Sequence, residues 1–518
     1  MPANTATHAE DLLRQWEGVA AQRSGFQSVW QEISDHLLGR RDFSTEATPG
    51  RKRMARIYDT TGLQAADLLS AALHSFLTNP ALRWFSLRAE DPELAADEDV
   101  RAWLGAVEDA LYAAFNAPDA NFAPQIHEVY LDQVAFGTAA LYIGDRPGKG
   151  LLFSARPLGE IHVAENAEGR VDTVFRRFEF TARQARQVWG DAAGRGVVEA
   201  LAANKGEQRF AFLHCVQPET GRGRRAGGVP GFAYASTYLS LTDETVVAEG
   251  GYHEMPYMVP RWSKDSGEVY GRAPGWNALP DQKMLNEMSK TTLKAAQKAV
   301  DPPLLVADDG VVMPLRTHPG GINVVRAGAL AQDPLRPLPV APRIDIGLEM
   351  MEQRRDAIRS AFHYNLLQLF QDPRMTATQV LQLVQEMQRL MGPMLGRQQA
   401  ELLEPMIERV YGILLRRGAL PPLPVGLEGV AIRIDHVSPI ARAQKAGDAQ
   451  AILRTLEAAQ AMAAIDPQVT DLIDPDAGMR LIAEANGVPE KALRGVDAIA
   501  GLRALRAGLE LVGGAEAI

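Results

Sequence analysis

The sequence holds a single cysteine, Cys215, so no disulfide can form within one chain, and a reducing place of synthesis is permitted. Its setting, the apolar stretch from Phe210 to Val216, is that of a buried core thiol. No apolar run approaches the ~20 residues that a membrane-spanning helix needs, which argues against a membrane partner. The start, Met1 to Asp11, is polar and acidic and reads as neither a secretory signal nor a transit peptide. Aromatic residues are scarce at 7% while alanine and leucine abound, so helix should outweigh sheet. Basic residues are also outnumbered, 54 against 64 acidic ones, for a formal net charge of -10. A surface of that sign does not suit a protein that grips nucleic acid over much of its face. It does not exclude one that lets DNA slide past without sticking.

Reactive groups are missing as well. The ten histidines are scattered, and no pair has the HxxxH or CxxC spacing of a zinc site. There is no GxxxxGK[ST] loop, no GxSxG elbow and no Asp-rich calcium loop. Carboxylate pairs such as Asp308-Asp309, or Asp471 with Asp474, read as solvated turns and caps. The Gly/Arg-rich stretch Gly221 to Gly228 reads as an exposed hairpin loop, because its GxG fragment neither follows a clear strand nor opens a helix. No catalytic, cofactor or metal site is expected, although a dispersed triad would escape such a reading.

What is present is length and helical periodicity. The chain has 518 residues, 46% of them hydrophobic, room for several domains. From Leu12 the apolar residues Leu13, Trp16, Val19, Phe26, Val29, Trp30, Ile33 and Leu37 follow a helical period. A basic, turn-prone link, Gly39 to Arg53, separates this from a second helix. That helix is N-capped by Asp59 or Thr60 and closed at Asn79-Pro80. Two more helical stretches are expected at about Val100 to Phe115 and Pro124 to Phe136. The period then changes to that of strands at Ala139 to Ile143, Leu151 to Ala155 and Val171 to Phe180. Thr181 with Gln184 makes a capping box for a short helix ending near Trp189-Gly190. Strands resume at Arg209 to Val216, Phe232 to Leu241 and Met258 to Trp262.

The middle is distinctive. Pro274 to Val300 forms one long helical pattern, stopped by Asp301-Pro302-Pro303. A Pro/Gly-rich unit with strand-like Leu304 to Ala307 and Ile322 to Val325 follows, then a helix from near Ile346 to Tyr364. Two antiparallel helices would thus carry a small β-rich insert at their tip. After a loop at Asn365 to Met375, Thr376 and Gln379 cap a long helix to Arg417-Gly418, bent by Gly392-Pro393 and Pro405. The tail from Ser438 is Ala-rich and helical.

Lys290, Lys294 and Lys298 share one face of the first stalk helix, which by itself reads as a solvated face. The insert carries Arg316, His318, Arg326 and Arg336, a basic cluster in an acidic chain, either scattered surface charge or a patch for an acidic partner. The loop after the second helix contains Gln371 and Arg374 and reads as a helix connection or as a functional loop.

Several short segments resemble the podovirus head-to-tail connector, or portal, family. They include Ile57 to Gly62, Leu77 to Pro80, Arg83-Trp84-Phe85, Phe136-Gly137-Thr138 with Tyr142, and Gly169 to Val174 with Arg176. Gly267 to Arg272, Pro319 to Asn323, Met375 to Val380 and Gly487-Val488-Pro489 complete the set. Their order, with the helix–insert–helix layout, carries the likeness over nearly the whole chain. Gln379 stands where the family pattern leads one to expect Glu, a harmless change for capping.

The resemblance implies a mostly helical α+β subunit. Its wing would be 1–273, helical to about 136 and then β-rich, with stem helices at 274–301 and 345–364. A clip at 302–344, a channel loop at 365–375, a wing spine helix and strand at 376–437, and a crown at 438–518 complete it. It implies a ring of about twelve copies at one capsid vertex through which double-stranded DNA passes weakly held. Terminase, tail adaptor, and major capsid or scaffolding protein are the implied partners, in a virion assembled in the host cytoplasm. No cofactor is implied. On this reading Lys290, Lys294, Lys298, Gln371 and Arg374 are candidates for the DNA channel. Arg316, His318, Arg326 and Arg336 are candidates for partner docking. The apolar stalk positions Leu279, Leu285, Met288 and Leu293, too many for a lone hairpin to cover, would be covered by neighbouring subunits. The alternatives are a nucleic-acid-processing enzyme of a mobile element, or another virion component such as a capsid or tail-tube subunit.

Overall fold

The computed structural model describes residues 3–39, 57–91, 94–95, 97–219, 231–307, 316, 318, 321–325, 335–337, 344–369, 379, 389, 391–424, 432–436 and 439–463. Beyond these it describes 468, 472, 474–485, 488, 493–494, 499 and 501–505. The first third is helical. Helix α1 (Ala3–Ile33) runs into a π turn, Ser34–Leu38, which Gly39 ends in the left-handed region at φ 59°. Helix α2 (Thr61–Leu77) leads to strand β1 (Phe85–Ala89), then to α3 (Glu98–Asn116) and α4 (Phe122–Phe136). Asp97 caps α3, its carboxylate accepting from the backbone N–H groups of Asp99 and Val100.

Strands follow, as the change of period foretells: β2 (Leu141–Arg146), β3 (Gly150–Ala155), β4 (Ile161–Glu165) and β5 (Val171–Thr181). After α5 (Ala182–Trp189) and α6 (Arg195–Ala202) come β6 (Arg209–Pro218), β7 (Tyr234–Ser240), β8 (Thr245–Tyr252) and β9 (Tyr257–Met258). The Thr181/Gln184 capping box at the head of α5 is present. Strands β4 to β8 form one antiparallel sheet in sequence order, and β2 sits between β3 and β9 in a smaller one.

The large sheet is covered on both faces. Strand alternation sends Phe210 and Phe212 toward α5 and α6, and Leu213 and Cys215 toward α1, where Leu12 and Phe175 meet them. Cys215 is buried there, as its apolar setting requires. The hairpin loop expected at Gly221 to Gly228 lies outside the described residues.

The stalk comes next. Helix α7 (Pro274–Val300) and helix α8 (Ile344–Ala361) enclose β10 (Leu304–Ala307), β11 (Ile322–Val325) and β12 (Leu335–Pro337). The two helices are antiparallel: Asp281 pairs with Arg354 at 2.9 Å, Ser289 donates to the Met351 sulfur at 3.4 Å, and Thr292 lies beside Gly347. At the tip, β10 pairs parallel with β11 and antiparallel with β12. His363, at φ 54°, breaks α8 from a short helix, α9 (Tyr364–Leu369). The loop expected from Asn365 therefore begins as a helical turn; Gln371 and Arg374 lie outside the described residues.

The long helix is helical at 391–398, passes through a π turn at Gln399–Leu403, and continues as α10 (Glu404–Arg416). Proline at 405 has no N–H to offer and would clash with the carbonyl four residues back, and the π turn absorbs that conflict without ending the helix. Strand β13 (Ile432–His436) then returns to pair with β1, and α11 (Pro439–Ala463) packs on α12 (Pro475–Ala485) through Ala449 and Ile482. Strands β1, β4, β8 and β13 escape a reading by periodicity. They are short or at sheet edges, and β8 carries Gly250 and Gly251, which hide its pattern.

Two histidines are buried neutral in this body. The Arg23 guanidinium must donate, so His162 accepts on Nε2 at 3.0 Å and cannot be protonated there. Burial, and then the Arg23 charge, push the His162 pKa down to about 3. His214 is enclosed between Tyr257 and Ser236 hydroxyls at 2.8 and 2.9 Å and stacked on Tyr238, and burial pushes it well below the ordinary value. Both residues bind a proton more readily when unfolded. Stability should therefore be complete above the ordinary histidine pKa near 6.5 and fall below it by up to ~1.4 kcal/mol per pH unit for each. For His162 that loss ends near pH 3. Urea midpoints measured from pH 7 to pH 4 should fall steadily. His162→Gln, whose amide oxygen still accepts from Arg23, should show a shallower fall.

Candidate functional site

Helix α7 turns Leu279 and Leu285 into the body, and among them two polar residues, Gln282 and Asn286, one helical turn apart and equally buried. Polar side chains there need partners. They find them in the turn before α2. The Asn286 side-chain oxygen accepts the backbone N–H groups of Tyr58 and Asp59, each at 3.1 Å. Gln282 accepts from Gly62 N at 3.2 Å and donates to the Asp59 carbonyl at 2.9 Å. The Asp59 carboxylate accepts from Thr61 N and Thr61 Oγ1, and from Arg355 of α8 through two nitrogens at 2.9 and 3.0 Å. Burial pushes the Asp59 carboxyl up, but Thr61 and the Arg355 guanidinium outweigh it and hold it below its usual value. A side chain on Gly62 would collide with Leu37 and stand 2.7 Å from the Gln282 oxygen. The segment Ile57 to Gly62 is therefore a joint that ties both stalk helices to α2.

Beside it, backbones touch directly. Gly137 has φ 91°, and a Cβ there or at Gly271 would strike the other's carbonyl oxygen; one at Gly275 would strike that of Ala135. Thr138 Oγ1 accepts from Gly271 N at 2.8 Å, and Trp276 Nε1 donates to Phe136 O at 2.7 Å. Arg261, 1% exposed, binds Glu401 at 2.6 Å and Glu165, and donates to the carbonyls of Gly169 and Val269. It thus joins the large sheet to the π turn of the long helix. Burial raises the Glu165 pKa, but Lys264 and Arg261 outweigh that and hold it low. The segments Phe136-Gly137-Thr138, Gly169 to Val174 and Gly267 to Arg272 all meet at the foot of the stalk.

Farther out the stalk is bare. Lys290 is half-exposed, and its ammonium lies 3.0 Å from Glu287, whose hydrogen bond and charge raise its pKa. Lys294 is exposed and Lys298 half-exposed, and neither forms an ion pair or hydrogen bond with the described residues. Of the apolar positions expected to need a neighbour, Leu279 and Leu285 are covered by this chain itself, and Met288 is half-buried. Leu293 is exposed, as are Met284, Leu348 and Met350.

At the tip, Arg316 and His318 are exposed. Asn323 on β11 is buried and bridges the Arg316 backbone, accepting from its N–H at 2.5 Å and donating to its carbonyl at 2.8 Å. Asn323 thereby holds the Arg316 backbone in place. Arg336 lies on β12 opposite Leu305, and Arg326 lies outside the described residues. The carbonyl oxygens of Arg316 and His318 both lie beside Gly321. Reading by sequence missed the Asp59–Arg355 pair, although Gln282 and Asn286 on an otherwise apolar helix face were a signal. Among the described residues no group of three or more His, Cys, Asp or Glu could hold a metal ion, and no helix is long and apolar enough to cross a membrane.

The family described as bacteriophage head to tail connecting protein matches residues 9–493. The chain is 29% identical over 513 residues to a probable portal protein of Bordetella phage BPP-1, covering 97% of this chain and 91% of that one. It is 27% identical over 511 residues to a portal protein of Salmonella phage epsilon15, with the same coverage. Among solved structures, a chain from the virion of a native gene transfer agent particle superposes with a TM-score of 0.38 at 14% identity, covering 81% of this chain and 89% of that one.

Removing the foot joint should be costly. Asp59→Ala leaves the Thr61 N–H and two Arg355 nitrogens without their acceptor, with Glu352 still pairing the third, and should lower unfolding stability by about 1–3 kcal/mol. Arg354→Ala, at the more exposed pair with Asp281, should cost under about 1 kcal/mol. Chemical denaturation of the two variants checks the difference.

Proposed function

The chain belongs to the bacteriophage head to tail connecting protein family, and we propose that it works as a closed ring with the stalk directed along the ring axis. It is a portal subunit, a structural component of the virion that connects phage head and tail. The match along nearly the whole chain disfavours the readings as a nucleic-acid-processing enzyme and as a capsid or tail-tube subunit.

The observation that supports the ring is the division of the stalk. Its foot is locked into the body by buried hydrogen bonds, while its outer half is a bare two-helix hairpin exposing Leu293, Leu348 and Met350. A rigid arm with uncovered apolar residues is what neighbouring copies cover when heterologous contacts close. The 27 residues of α7 span about 40 Å, so the small sheet at the tip stands clear of the body. A ring of about twelve copies would enclose a channel for the genome. Its acidic composition suits passage, since each phosphate contact would add affinity and drag.

The tip is the docking platform for the terminase during packaging and then for the tail adaptor, while the body faces capsid or scaffolding protein. Arg316, held by Asn323, offers a planar donor to a partner carboxylate. No chemistry on DNA is assigned to this chain; the ATP-driven motor is the terminase.

Negative-stain images of the purified chain should show isolated rings with a central hole and a narrow stalk; a chain that stays monomeric at high concentration sinks this reading. Arg316→Glu should leave sedimentation of the ring unchanged and weaken binding to terminase or adaptor, most at low salt where screening is least. Unchanged binding, or a ring that falls apart, would remove Arg316 from the docking role.

A further inference from the structure

The charges on the stalk are arranged differently in its two halves. Near the foot they are neutralised within the chain. Lys283 pairs with Glu32, Lys290 with Glu287, Arg354 with Asp281, Arg355 with Asp59 and Glu352, and Arg359 with Glu352 and Asp356. Toward the tip two charges stand outside these pairs. Lys294 on α7 and Glu349 on α8 are both exposed, and neither forms an ion pair or hydrogen bond with the described residues. Each stands beside an exposed leucine: Leu293 is 51% exposed and Leu348 51%. Each helix therefore presents an apolar residue next to a bare charge, and the two charges have opposite sign.

Their heights along the stalk agree. Ser289 meets Met351 and Thr292 meets Gly347 across the hairpin. At 1.5 Å per residue, Lys294 and Glu349 are then within about 6 Å of the same level, less than the reach of a lysine side chain. Although so close in height, they do not pair within their own hairpin. A cyclic ring rotates each subunit onto the next without shifting it along the axis, so patches at one height can meet only their counterparts at that height.

We infer that the α7 surface around Leu293 and Lys294 of one subunit docks against the α8 surface around Leu348 and Glu349 of the next copy of this chain. The inference rests on the ring reading above. It moves Lys294 from the channel to the interface, with Lys298 extending the positive face one turn farther. The leucines supply apolar contact, and the charge pair sets which faces meet. A subunit offering the same sign on both faces would be rejected, because like charges at a partly desolvated contact repel.

Reciprocal charge reversal tests the contact. The full chain, Lys294→Glu, Glu349→Lys and the double variant are compared by sedimentation velocity over a range of concentrations in low and high salt. Each single reversal should raise the concentration for half-assembly by about tenfold or more in low salt, with a smaller effect in high salt. The double variant should return close to the original. Single variants that assemble as the original chain does, with or without a defect in DNA packaging, overturn the inference, as does a double variant no better than the singles. If the unaltered chain itself never forms rings, it is the ring reading that fails. Circular dichroism melting checks that each variant folds. Should a reversal prevent folding, Lys294→Gln and Glu349→Gln replace it, with weakening by several-fold expected and no change overturning the contact.

Discussion

Everything outward of the body depends on a small set of buried hydrogen bonds between Asn286, Gln282, Arg355 and the turn at Asp59. A two-helix hairpin of this length has no core of its own, and its outer half shows leucine and methionine to solvent. It can hold a fixed direction only if its foot is clamped. Apolar contact alone would let the helices slide or rotate, since it has little directionality. Paired amide and carboxylate bonds do not permit that, because a shift of one residue would leave several buried donors without acceptors.

The clamp is reinforced by close backbone packing. Gly137, Gly271 and Gly275 let the start of α7 lie on the end of α4 with no side chain between them. Arg261 does by charge what the glycines do by absence, collecting two carboxylates and two carbonyls from different elements around one guanidinium. Removing either partner of such a buried group costs more than the pair contributes, which makes these positions intolerant of change. The stalk is thus stiff where it leaves the body and bare where copies and partners would meet it.

As strings of residues, the turn at Ile57 to Gly62 offered a helix cap and the Phe136-Gly137-Thr138 segment only a likeness to connectors. In three dimensions both lie at the foot of the stalk, separated by nearly eighty positions in sequence yet serving one junction. At the tip a local bridge does the same over a few residues, with Asn323 holding the backbone of Arg316.

Local periodicity was enough to place α7 from Pro274 to Val300, strands β10 and β11, and the capping box at Thr181, because each depends on residues within a few positions of one another. The ordered segments also carried the likeness to connectors, since order along a chain is itself a sequence property. Short edge strands such as β1 and β13 were not legible: each alternates over only five residues and is stabilised by a partner more than three hundred residues away. The covering of Leu279 and Leu285 by the chain itself was misjudged for the same reason, as only packing decides which apolar residues a body already shields. Helical spacing puts Glu287 three residues from Lys290 on the same helix, but it could not say that nothing on the facing helix pairs with Lys294. Helical spacing determines which side chains are neighbours on a surface, but the identity of what lies opposite is a matter of tertiary geometry. Charge becomes function only once that geometry is known.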